Sequence, residues 1–87
     1  MNNKVLIKLD AFALAQSYDV FIPVNEKIWK VKAMLAKCVC DLEHLVFDPS
    51  IEYILMNKID GTVYDSNITI LESNIRNGSE LLIMSRI

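Results

Sequence analysis

The sequence predicts an α+β domain: a mixed sheet of four or five strands with one main helix packed on one face. Three observations carry that reading. Ile28, Val31, Leu35, Cys38, Val39 and Leu42 recur at helical spacing and form the chain's one long apolar stripe. Around it lie runs of strand length, in the order strand, strand, helix, strand, strand, strand, with turn signals between the later ones. Val5-Leu6-Ile7, Val20-Phe21-Ile22, Ile54-Leu55-Met56 and Leu81-Leu82-Ile83-Met84 are apolar at consecutive positions. Successive strand side chains point to opposite faces, so a sheet of these runs is apolar on both sides. One helix covers one face. The other is expected to meet a partner.

Residues 4–10 read as the first strand, with Val5, Ile7 and Leu9 alternating against Lys4, Leu6, Lys8 and Asp10. Residues 11–17 are expected to turn, although they contain neither glycine nor proline. Residues 18–24 form the second strand and end at Pro23, which suits a strand end because it has no ladder N–H. Asn25 is the expected helix N-cap, with Glu26 in the first turn where the helix dipole favours a negative charge. The helix, or a further turn through residues 43–47, must stop by Asp48-Pro49, because the residue before a proline disfavours helical geometry. Residues 52–58 return to strand, Ile59-Asp60-Gly61 signals a hairpin, and Thr62–Tyr64 are expected as a short return strand. Residues 65–79 are polar and turn-rich around Ile68, Ile70, Leu71 and Ile75. Asn77-Gly78 marks a tight turn, and Glu80–Ser85 is the last strand.

A chain of 87 residues is expected to be one domain, residues 1–87. Its apolar fraction of 53% and mean hydropathy of +0.30 are high for a soluble chain, so the excess must go into a core or an interface. No run approaches the roughly 18 uninterrupted apolar residues of a membrane span. Met1-Asn2-Asn3-Lys4 enters a strand pattern without a signal-peptide layout. The expected location is therefore cytoplasmic, and the sequons Asn67-Ile68-Thr69 and Asn77-Gly78-Ser79 are not expected to be used. Net charge is −2 and the nine basic residues are scattered, which argues against nucleic acid.

Chemistry finds few candidates. Cys38 and Cys40 point to different sides of a helix and are expected as buried or semi-buried structural thiols; with His44 they lack a fourth metal ligand. His44 is expected as a surface or capping residue. Asp60 and Asp65 flank a hairpin, where short polar side chains serve the turn. No nucleophile has a plausible base and orienter, and two glycines cannot build a phosphate loop. The expectation is no enzyme, no catalytic residue, no metal and no cofactor.

The segment Val20-Phe21-Ile22-Pro23-Val24-Asn25-Glu26-Lys27-Ile28-Trp29-Lys30-Val31-Lys32 resembles the second strand and helix start of ubiquitin, with Ile28, Val31 and Leu35 at the core helix spacing. Asn57-Lys58, Val63-Tyr64, Ile70-Leu71 and Asn74-Ile75-Arg76-Asn77-Gly78-Ser79-Glu80-Leu81-Leu82-Ile83 resemble small bacterial ubiquitin-like proteins of the YukD/EsaB type. The resemblance covers nearly the whole chain. It implies a ubiquitin-like β-grasp fold and an accessory or regulatory role in a type VII (ESX-like) secretion system of Gram-positive bacteria, at the periphery of a membrane complex. Conjugating ubiquitins and sulfur carriers of this fold activate a terminal glycine. The sequence here ends Met84-Ser85-Arg86-Ile87, so neither conjugation nor sulfur transfer is expected.

With the helix over Val5, Ile7, Val20, Ile22, Leu55, Leu81 and Ile83, and with Ile70 and Ile75 closing the core, the alternate residues face outward. Leu6, Phe21, Ile54, Met56, Leu82 and Met84 are thus the expected protein-binding residues, read as one contiguous patch for another protein or a second copy of the chain. A competing reading folds residues 41–52 or 65–79 over that face. Trp29, Ala33, Ala36 and Cys40 line a helix flank, where Trp29 is expected to pack on Leu45, Val46 and Phe47. Two other roles compete with the secretion accessory: a generic β-grasp adaptor unrelated to secretion, and a carrier protein processed at its carboxyl end.

Overall fold

The computed structural model describes residues 3–11 and 15–86. Its elements are β1 (Lys4–Ala11), β2 (Gln16–Pro23), α1 (Ile28–Leu42), β3 (Tyr53–Asn57) and β4 (Glu80–Ser85). The four strands form one sheet in the order β2-β1-β4-β3. The two outer pairs are antiparallel, and β1 with β4 is parallel, which the crossover through α1 permits. One helix lies on one face of this mixed sheet, as the sequence predicts.

The inner face follows from strand alternation. Val5, Ile7, Leu9 and Ala11 of β1, Ile22 of β2, Leu55 of β3, and Leu81 and Ile83 of β4 are buried against Ile28, Val31, Leu35, Ala36 and Val39 of α1. Ile70, Ile75 and Tyr64 close the core from the long β3–β4 connection. Val20, expected inside, is half-buried and packs on the core from the edge strand.

Several boundaries differ from the expected ones, each for a tertiary reason. The turn expected at 11–17 falls partly on residues 12–14, which lie outside the described residues, as does Ile87. β2 starts at Gln16 rather than residue 18, because the ladder with β1 continues to the Ala11–Gln16 pair. The helix N-cap is Lys27, not Asn25, and no side chain caps it. Backbone carbonyls of the β3–β4 connection do that work: Ile28 N–H donates to Ile68 O at 2.8 Å and Trp29 N–H to Ser66 O at 3.1 Å. Glu26 therefore precedes the first turn, and its carboxylate pairs with Lys30 at 3.2 Å.

The helix stops at Leu42, well before Pro49. His44 takes φ +59, Leu45 N–H donates to Cys40 O at 2.8 Å and His44 N–H to Asp41 O at 3.3 Å, a Schellman cap with histidine in the left-handed position. Within α1 the apolar stripe is rotated from the expected one: Ala36 is buried, whereas Cys38 and Leu42 are exposed. Trp29 is 54% exposed and does not meet residues 45–47. It sits in the first turn of a 15-residue helix, about 20 Å long, and those residues follow the last turn. Thr62–Tyr64 do not make a fifth strand. They contribute one antiparallel bridge, Met56 with Val63, before Asp65 turns the chain.

Candidate functional site

The outer sheet face carries the residues singled out in the sequence, and register decides how they group. Leu6 of β1 faces Phe21 of β2. Ile54 faces Met84, and Met56 faces Leu82, across β3 and β4. These are two groups, not one patch. The parallel register puts Leu82 beside Asp10, four residues along β1 from Leu6, so the groups stand roughly 14 Å apart by strand spacing.

A charged band separates them. Lys8 faces Asp19 on β2 and Glu80 on β4, and Lys58 Nζ lies 2.7 Å from Asp10 Oδ2. The contact with Lys58 comes first, then the Ser17 hydroxyl at 2.7 Å, in holding the Asp10 carboxyl below its ordinary pKa. The band was visible in the alternation of Leu6, Lys8 and Asp10. Only the register shows that it cuts the apolar surface in two.

The β3–β4 group is larger than the sequence reading made it. Val63 pairs with Met56, and bridge partners point to the same face, so Val63 extends the group across the sheet edge while 54% exposed. Its signal was the alternation with Tyr64, which turns inward and is buried. Ile54, Met56, Leu82 and Met84 are each half-buried by one another and by the pleat. Of the segments that compete to cover this face, the Asn77–Gly78 turn adjoins Leu6 and Phe21. Residues 66–71 bond the first turn of the helix and the turn through Val24 and Glu26 that precedes it, and Leu45 and Ile51 line, with Met84, a cleft between the end of α1 and strands β3 and β4. Phe47 stacks on Tyr53 with ring centroids 6.3 Å apart.

The remaining chemistry-bearing residues serve the fold. Asp60 Oδ1 accepts from Thr62 N–H at 2.9 Å and Asp65 Oδ1 from Asn67 N–H at 2.8 Å, the turn roles expected of them. Backbone and hydroxyl donors of Thr62 hold the Asp60 carboxyl below its usual value. Cys38 is exposed, contrary to expectation, and Cys40 is half-buried; among the described residues no group of three or more His, Cys, Asp and Glu side chains could hold a metal ion. No helix of the described chain is long and apolar enough to cross a membrane.

No protein-family model matches the chain, and no curated protein sequence matches it. Solved structures do. A chain of the MycP5-free ESX-5 inner membrane complex aligns over 98% of this protein with a TM-score of 0.81 at 16% identity, and this protein spans 21% of that chain. The EccD5 ubiquitin-like domain from Mycobacterium xenopi aligns over 98% of this chain and 97% of its own, with a TM-score of 0.77 at 15% identity. A chain of the toluene 4-monooxygenase HD complex aligns over 95% of this chain and 99% of its own, with a TM-score of 0.78 at 11% identity. The fold is thus ubiquitin-like, with one helix on a mixed four-stranded sheet.

Proposed function

We propose that this ubiquitin-like domain is a bacterial, cytoplasmic protein-binding accessory or regulatory component of a type VII secretion system of the YukD/EsaB kind, acting without catalysis, conjugation or cofactor. One observation carries the binding role: the outer face of β3 and β4 presents Ile54, Met56, Leu82 and Met84 side by side, with Val63 on the same face. Burying each large apolar side chain contributes about 1.5–3 kcal/mol before the costs of association are subtracted. Two methionines let the surface adapt to its partner. The secretion role is supported by the likeness to the ESX-5 complex chain and to the EccD5 domain, together with the sequence resemblance. The partner is a component of the secretion complex.

The test is site-specific photocrosslinking in the native cell from position 84, with purification of the adducts. Adducts with membrane-complex components of a type VII system support the reading. Adducts only with proteins outside secretion favour the generic adaptor, a reading to which the toluene 4-monooxygenase likeness gives comparable structural weight. Adducts with a second copy of the chain alone identify a homodimer face. Sedimentation of the wild type beside Leu82→Glu then checks that outcome, since only the wild type self-associates in that case.

A further inference from the structure

The turn before β4 carries a reactive pair that the fold holds shut. Asn77 is the only asparagine followed by glycine; every other one precedes a residue with a side chain. In such a pair the glycine nitrogen, unhindered by a Cβ, can close on the asparagine side chain. The only co-reactant is water. Gly78 N loses its proton to solvent and bonds to Asn77 Cγ; the Cγ–Nδ2 bond breaks, and ammonia leaves after taking one proton back. Water then opens the resulting succinimide at one of its two C–N bonds. One product is aspartate. The other is isoaspartate, whose main chain runs through the former side chain and is one carbon longer.

Both reacting groups are engaged with one residue of β1. Leu6 N–H donates to Asn77 Oδ1 at 2.8 Å, and Gly78 N–H donates to Leu6 O at 2.8 Å. With Lys8 N–H donating to Ser79 O, these bonds continue the parallel pairing of β1 and β4 beyond Lys8 and Glu80. Inside the turn, Ser79 N–H donates to Arg76 O at 3.0 Å and Arg76 N–H to Ser79 Oγ at 2.8 Å. The Leu6 N–H favours addition at Cγ, since it holds the oxygen that becomes negative. The nucleophile, however, is the locked group. An N–H donated to a carbonyl keeps its proton until that bond opens. Asn77 and Gly78 are both exposed, so water is at hand once it does.

We propose that Asn77 is a modification site, converted by water to aspartate and isoaspartate only when the Gly78–Leu6 bond opens, and that isoaspartate keeps the turn from closing again. The longer main chain displaces Gly78 N–H from Leu6 O. The place gives the change a consequence, because Asn77 and Gly78 border the outer-face depression lined by Leu6, Lys8, Asp19, Phe21 and Glu80. A new negative charge and a loosened turn therefore arise beside the Leu6–Phe21 group. The role proposed for the β3–β4 face is independent of this.

The test incubates the full chain at mildly alkaline pH, folded and in denaturing urea, and follows Asn77 by peptide mapping with mass spectrometry. The folded chain is expected to convert at least about tenfold more slowly, and the slowing to match the exchange protection of the Gly78 amide within about threefold. The isoaspartate form, made in urea, refolded and separated, is expected to lose protection at the Leu6 and Gly78 amides but not at Met56 or Leu82. Asn77→Asp is expected to keep it, because a carboxylate oxygen accepts the same Leu6 N–H. Equal conversion of folded and unfolded chain, or slowing unrelated to Gly78 protection, overturns the site's dependence on opening. Intact protection at Leu6 and Gly78 in the isoaspartate form overturns the unlatching, as does equal loss in Asn77→Asp. If the isoaspartate form does not refold, the match between slowing and Gly78 protection decides alone.

Discussion

Asp10 on β1 and Lys58 just beyond β3 form a 2.7 Å ion pair across the strand that separates them. The pair borders the apolar group on β3 and β4 and helps divide it from Leu6 and Phe21. Each partner stabilises the other's charged form: the Asp10 pKa falls and the Lys58 pKa rises.

The pair sets a pH window. The folded pKa of Asp10 lies below the unfolded 3.8, so its contribution is present above pH 3.8 and lost as pH falls through the folded value. Lys58 behaves oppositely: its contribution is present below 10.5 and lost as pH rises through its raised folded value. Lys58→Met is expected to move the Asp10 carboxyl upward in an NMR titration and to lower stability between these limits, with no difference in strong acid. An unmoved Asp10 titration rules the pair out as the cause.

Tyr18 ties the edge strand to the helix end. Its hydrogen bond to Glu43, followed by burial, pushes the phenol up to about 12 from an ordinary 10. The neutral phenol is favoured in the fold, so the stabilisation is present below pH 10 and is lost as pH rises towards 12. Glu43→Ala is expected to bring one tyrosine ionisation back towards 10, read at the tyrosinate absorbance band. A Tyr18→Phe control must lack that late phase.

His44 occupies a left-handed backbone position that suits glycine. It is exposed, and its side chain makes no described hydrogen bond or ion pair. His44→Gly is expected to raise stability by about 0.5–1 kcal/mol, the strain relieved less the added chain entropy. Chemical denaturation of both proteins measures it; a loss of stability means the imidazole packs usefully on the helix end.

Leu9 has no exposed surface at the centre of the sheet, and Leu9→Ala is expected to cost about 2–5 kcal/mol. Val20 on the half-open edge is expected to lose less than about 1.5 kcal/mol on truncation to alanine. Denaturant midpoints decide between them; equal losses contradict the edge placement of Val20.

Ile54→Glu and Leu82→Glu place a charge on a half-buried outer position, not in the core. Both are expected to keep a cooperative melt and to weaken partner binding at least about tenfold. A folded variant with unchanged affinity removes this face from the proposed mechanism.

Much of the fold was legible because alternation and helical spacing are local signals. The last strand at Glu80–Ser85, the inward set Val5, Ile7, Ile22, Leu55, Leu81 and Ile83, and the turn roles of Asp60 and Asp65 follow from residues within a few positions of one another. The helix start was not legible. Asn25 has the right side chain for a cap, but the carbonyls of Ser66 and Ile68, some 40 residues on, satisfy the helix N–H groups instead. The outer face was half legible: alternation names which residues point outward but not which of them are neighbours.

The sequence by itself determined the fold class, the presence of the helix, four of the five strands it proposed, and an apolar excess on the uncovered sheet face. Tertiary structure alone decided that this excess falls into two groups, that Val63 joins the one on β3 and β4, and that Asn77 and Gly78 lock onto Leu6. The physical reason is register. Which face a residue takes depends on its parity within a strand, whereas what lies beside it depends on how distant strands slide into pairing.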